Sequence, residues 1–105
     1  MHIDISGRHL DLTEGLREHV LQKIQKIEKY SLKIISVHVV FEVQKITHIC
    51  EITLQGAHFK ATAKEKTADM YPSFDQALVS IQHQLAKFHE KRAQHHGSDK
   101  ELPWK

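Results

Sequence analysis

The sequence predicts an α+β domain of order β-α-β-β-β-α, a four-stranded mixed sheet with two helices packed on one face. Three observations carry that prediction. Wound at about 100° per residue, residues 14–30 gather Leu16, Val20, Ile24 and Ile27 on one stripe. A second stripe begins near Asp69 and collects Tyr71, Phe74, Leu78, Ile81, Leu85 and Phe88. Between these helical stretches, apolar and polar residues alternate with the two-residue period of half-buried strands.

The first strand is short: Ile3 and Ile5 share one face of His2 to Gly7, and Gly7 loosens the chain after it. Asp11 or Thr13 can cap the first helix, Asp11 having Glu14 three residues on as a capping-box partner, and the helix is expected to run to about Tyr30. Ile35, Val37, Val39, Phe41 and Val43 alternate with Ser36, His38, Glu42 and Gln44, which makes the clearest strand. After a turn at Lys45 and Ile46, the residues His48, Cys50, Ile52 and Leu54 form the core face of a third strand. Gly56-Ala57 offers a hairpin into a fourth, with Phe59, Ala61 and Ala63 facing the core. Pro72 falls in the first turn of the last helix, where its missing N–H has no intrahelical partner to lose if Asp69 caps it. The helix should reach about His95. Strand-helix-strand order makes the first two strands parallel with a right-handed crossover, and the remaining pairs antiparallel.

With 105 residues the chain suits one domain, taken as 1–96, followed by a polar tail at 97–105 in which Trp104 is a lone apolar residue. A formal charge of +2, from 15 Lys and Arg against 13 Asp and Glu, identifies no partner by itself, since the field depends on where charges sit. The single cysteine, Cys50, cannot close an internal disulfide. No apolar run has the length of a membrane span or the form of a signal peptide, so the expectation is a cytoplasmic protein with no membrane partner.

Charge placement is more informative than charge total. On the first helix Lys23, Lys26 and Lys29 line one flank with His19 and Gln22, while Glu14, Glu18 and Glu28 take the other. The last helix turns Gln76, Ser80, His83, Gln84, Lys87 and Lys91 away from its apolar stripe, with no acid from Gln76 to His89. A solvated helix face is the commonest origin of such a row. Two of them on the same side of a sheet can, however, border one groove and neutralise several phosphates together. Lys23, Lys26 and Lys29 would step about 4.5 Å apart along an α-helix, close enough to track a phosphate backbone. With few aromatic residues outside the core stripes, there is no base-stacking platform, and recognition is expected through backbone and shape.

Catalysis has weak support. His48 and Cys50 share a strand face, but Ile52 and Leu54 continue it, so the thiol is read as buried and inert. The four glycines stand apart and make no phosphate-cradling loop. Ten histidines include no preorganised ligand pair in the expected elements. His89, His95 and His96 could collect an adventitious divalent ion and no more, so no metal or cofactor is expected.

Leu12-Thr13-Glu14-Gly15-Leu16-Arg17, Lys45-Ile46-Thr47-His48 and Asp69-Met70-Tyr71, in this order and spacing, resemble the ribosome-associated inhibitor and sigma-54 modulation family, and within it the short ribosome hibernation-promoting factors. The resemblance covers about residues 1–95. It implies a fold similar to a double-stranded RNA-binding domain and a stationary-phase factor, not an enzyme, seated on the small ribosomal subunit where messenger and transfer RNAs would lie. Carried onto this chain, the implied rRNA contacts are Lys23, Lys26, Lys29 and Lys33 from the first helix and its exit. His83, Lys87, Lys91 and Arg92 come from the last helix, Lys45 and His48 from the loop motif, and Lys64 and Lys66 from the approach to the last helix. Short family members promote ribosome pairing together with the separate ribosome modulation factor, whereas the related inhibitor, with a longer acidic tail, keeps ribosomes unpaired. The tail here is short and not strongly acidic, which favours the hibernation-promoting type, acting as a monomer. A general double-stranded RNA-binding module is the alternative outside the family. Pro72 departs from the family pattern after Tyr71, where a small helix former is usual.

Overall fold

A computed structural model of the chain describes residues 1–30 and 32–97, with side chains described as far as His89. The elements are β1 (His2–Gly7), α1 (Glu14–Ile24), a 3₁₀ segment (Gln25–Tyr30), β2 (Ile34–Gln44), β3 (Thr47–Gly56), β4 (Lys60–Thr67) and α2 (Met70–Gly97). The strands lie in sequential order in one sheet, β1 parallel to β2 and the other pairs antiparallel, as the element order predicts. Of the expected tail, Gly97 closes α2 and 98–105 fall outside the described residues.

The core lies between the sheet and the helices. Val37, Val39 and Phe41 from β2 and Cys50, Ile52 and Leu54 from β3 are fully buried, under Leu16, Val20 and Ile24 of α1 and Phe74, Leu78, Ile81 and Leu85 of α2. Ala61 and Ala63 on β4 face Ala77-bearing α2, and these short side chains let the long helix settle close to the edge of the sheet. Strand ends depart from the simple alternation: Ile35 and Val43 are exposed. Ile49, on the face away from the helices, is nonetheless buried between the paired residues Glu42 and Lys66.

Of the two candidate caps, Thr13 is the one that closes α1, its hydroxyl accepting from the Leu16 N–H at 3.1 Å. The expected extent of the helix needs correction. Beyond Ile24 the helix tightens to 3₁₀ geometry as far as Tyr30. The apolar spacing changes at the same place, from four-residue steps (Leu16, Val20, Ile24) to three-residue steps (Ile24, Ile27, Tyr30), and three residues per turn is the repeat that keeps those side chains on the core.

At the start of α2 the buried Ser73 ties three elements together. Its hydroxyl lies 2.7 Å from the His48 carbonyl oxygen of β3, 2.7 Å from the Thr67 hydroxyl at the end of β4, and 3.0 Å from the Asp69 carbonyl oxygen. Thr67 also accepts from the Asp69 N–H at 3.1 Å, so the chain reverses into the helix through a side-chain-closed turn.

Candidate nucleic-acid interface

Both helices start from the same end of the sheet, because β1 and β4 run parallel to one another through β2 and β3. They therefore return side by side. Contacts between them occur where their first halves meet: His19 Nε2 is 2.7 Å from Asp75 Oδ1, and the His19 ring stands edge-on to Tyr71 at 4.9 Å and to Phe74 at 5.8 Å. Tyr71 is thus not a core residue as the apolar stripe suggested. It is 38% exposed, its hydroxyl 3.2 Å from where a Cβ on Gly15 would sit.

His19 orients the basic flank of α1. Lys23 and Lys26 follow His19 at i+4 and i+7 on the same side of the helix, and Glu14 and Glu18 fall away from that side. Lys26 and Lys29 lie in the 3₁₀ segment, where residues three apart eclipse. The row therefore stays aligned instead of drifting around the axis, and its spacing there is about 6 Å, from three residues at about 2.0 Å each. Lys29 Nζ also sits 5.4 Å from the centre of the Tyr30 ring.

On α2, Gln76, His83 and Lys87 are exposed along the crest. Gln84, expected among them, turns aside: its amide donates to the Thr62 carbonyl oxygen of β4 at 2.9 Å. The side chains of Lys91, Arg92, His95 and His96 lie outside the described ones.

The other predicted contacts are dispersed. Lys33 follows the 3₁₀ segment, and its carbonyl oxygen accepts from the Ala57 N–H at 3.0 Å, at the end of the sheet away from the helix starts. Lys45 occupies the β2–β3 turn. His48 is half-buried on the helix side of β3, and its Nδ1 is buried with no hydrogen-bond partner among the described residues. Lys64 and Lys66 stand opposite Glu51 and Ile49 on the open face of the sheet, behind the helices. The helix lysines and the β4 lysines thus present two separate surfaces.

No group of three metal-ligating side chains comes together among the described residues. The Cys50 thiol is buried and pushed up to about 12, by desolvation first and by the Glu51 charge second, the opposite of an activated nucleophile. No helix among the described residues is long and apolar enough to cross a membrane.

A four-stranded sheet backed by two side-by-side helices, with lysines on the helix flanks and an inert thiol in the core, defines a small α+β binding domain. Residues 3–93 match the family described as Sigma 54 modulation protein / S30EA ribosomal protein, and the chain belongs to that family, which is not one of enzymes. It is 36% identical over 95 residues to the ribosome hibernation promoting factors of Salmonella typhimurium and Escherichia coli K12, covering 90% of this chain and 100% of each relative. The Pseudomonas putida factor of the same name is 35% identical over 92 residues, with 88% of this chain and 90% of the relative covered. Among solved structures, the Thermus thermophilus Protein Y N-terminal domain aligns with a TM-score of 0.77 at 24% identity, over 84% of this chain and 99% of that one. A ribosomal subunit interface protein from Coxiella burnetii aligns at 0.70 and 24% identity, over 89% and 98%. Both share the fold.

Proposed function

We propose that this protein is a ribosome hibernation factor that binds the small ribosomal subunit through the cationic helix flanks, covers the messenger and transfer RNA sites, and stops translation in stationary phase by occupancy. What supports this reading is the row Lys23, Lys26 and Lys29, which follows the His19 contact with α2 along the same side and is kept in register through the 3₁₀ segment. A row of ammonium groups without intervening acids suits a phosphate backbone and offers nothing that reads base sequence. His83 and Lys87 are exposed along α2 and continue the cationic surface in this reading; Lys91 and Arg92 are assigned to it by the family resemblance alone. The names of the relatives support a ribosomal target over free duplex RNA.

In this reading the protein acts as a monomer in the cytoplasm and favours ribosome pairing together with the ribosome modulation factor. Sedimentation of ribosomes through sucrose with and without the protein tests it. Co-migration with small subunits and a shift toward paired particles are the expected results. A shift toward unpaired ribosomes would place it with the inhibitor type, and displacement from subunits by plain duplex RNA as readily as by unlabelled subunits would reduce it to a general duplex-binding module.

A further inference from the structure

The β2–β3 hairpin breaks two local rules at adjacent residues. Gln44 pairs with Thr47, leaving Lys45 and Ile46 as a two-residue loop whose first residue has φ 58° and whose second does not share the positive φ. A positive φ at the first position of a two-residue hairpin loop ordinarily calls for glycine, asparagine or aspartate. A lysine there is strained with no gain to the fold. The next residue, Ile46, is 86% exposed, with Val43 also exposed beside it. Neither residue serves the core.

The hairpin also projects on the β1 side, while on the other side β4 accompanies it as far as His48, opposite Thr67. β1 stops pairing at Gly7 opposite Phe41, so Glu42 to Gln44 extend past it. The other non-glycine residue with positive φ among the described residues, His9 at 62°, lies at this same end, because the Arg8 N–H binds the Phe41 carbonyl oxygen at 2.8 Å. Arg8 pairs with Glu42 at 3.0 Å, two residues before Gln44, and Lys45 carries its charge in the turn itself.

We propose that the β2–β3 hairpin tip is a second RNA contact, in which Ile46 packs on an unstacked base of folded rRNA while Lys45 meets an adjacent phosphate. The proposal rests on the small-subunit reading and narrows it. The tip and the loop holding Lys33 are at opposite ends of β2, roughly 35 Å apart for 11 residues at about 3.3 Å each. A partner engaging both must be broad. An A-form duplex keeps its bases stacked and paired, offering an apolar side chain no base face to cover, whereas loops and bulges of a folded RNA do. Apolar wedges against unstacked bases are an established mode of nucleic-acid recognition.

The test uses the full chain with small subunits and, separately, a plain RNA duplex. Ile46→Ser should weaken subunit binding about tenfold or more, the scale of losing one buried aliphatic side chain, leave duplex binding unchanged, and keep the same salt dependence because no phosphate contact is lost. A photoreactive amino acid at position 46 should crosslink to rRNA. Unchanged subunit affinity for Ile46→Ser, or a crosslink to a ribosomal protein, would overturn the proposal while leaving the helix-flank reading intact if Lys23→Glu, Lys26→Glu and Lys87→Glu together abolish binding. Failure of the unaltered protein to bind subunits would overturn both.

Discussion

His19 of α1 and Asp75 of α2, 56 positions apart in sequence, meet at 2.7 Å and join the two helices where their flanks converge. The contact sets the rotation of α1 about its axis, and with it the side on which Lys23 follows His19 one turn later. It also fixes a histidine that, read on the sequence alone, counted simply as one more basic residue of the row. Asp75 is the acid this places beside the groove, and His19 holds it.

Removing either partner should loosen the helix pair. His19→Ala and Asp75→Ala are each expected to cost about 0.5–1 kcal/mol, the lower part of the range for a hydrogen bond because the aspartate is 44% exposed. Additivity of the two losses in a double-mutant cycle, followed by thermal unfolding, would show that the contact contributes nothing. A shared loss, smaller in the double variant than the sum, is the expected result.

Charge reversal on the flanks should separate binding from stability. Lys23→Glu, Lys26→Glu and Lys87→Glu together are expected to eliminate measurable small-subunit binding while each shifts stability by about 0.5 kcal/mol or less, since the altered groups lie outside the core. For the unaltered protein, some six phosphate contacts give a slope of log affinity against log salt near −5 on duplex-like RNA, at roughly −0.9 per contact. A flat salt titration would rule out a phosphate-tracking surface.

Most of the fold was legible because its signals are periodic. The strand faces of β2, β3 and β4 and the stripe from Phe74 to Leu85 are where alternation and helical winding put them. What escaped is local or non-periodic. Tyr71 fits the stripe by spacing, but it stands in the first turn of α2, where the neighbour is α1 rather than the sheet. Ser73 was invisible as a core residue because its burial depends on acceptors from three separate segments. The 3₁₀ segment was readable in principle, in the change of apolar spacing after Ile24. Of the site, the α1 flank was recoverable by winding, whereas the separation of Lys64 and Lys66 from it required knowing that the helices cover the opposite face of the sheet.

Cys50 should respond to pH only on the alkaline side. Its folded-state pKa is raised from the ordinary 9.0 to about 12, so between these values the unfolded thiol ionises while the folded one stays protonated. The unfolded state then binds fewer protons, and the contribution of this group to stability, level below about pH 9, is lost as pH climbs toward about 12. Cys50→Ala should flatten this part of the stability profile. In the native protein at pH 8 the thiol should resist alkylation and react only at the rate of unfolding, and rapid labelling without unfolding would contradict its burial.

Gly56 is required by packing, not by a left-handed backbone. A Cβ there would run into ring atoms of Phe59, three residues on across the β3–β4 hairpin, in which the Gly56 N–H donates to the Phe59 carbonyl oxygen at 2.8 Å. The Phe59 ring in turn packs at 5.2 Å on Phe88, holding the hairpin against the far part of α2. Gly56→Ala must therefore displace the ring or open the turn, and a loss of about 1–3 kcal/mol is expected from that overpacking. Because the displaced ring is the obstacle, Phe59→Leu combined with Gly56→Ala should recover part of the loss relative to Gly56→Ala alone. Chemical denaturation of both variants and the unaltered protein checks this, and a Gly56→Ala protein as stable as the original would mean that Phe59 can leave its place against Phe88 without cost.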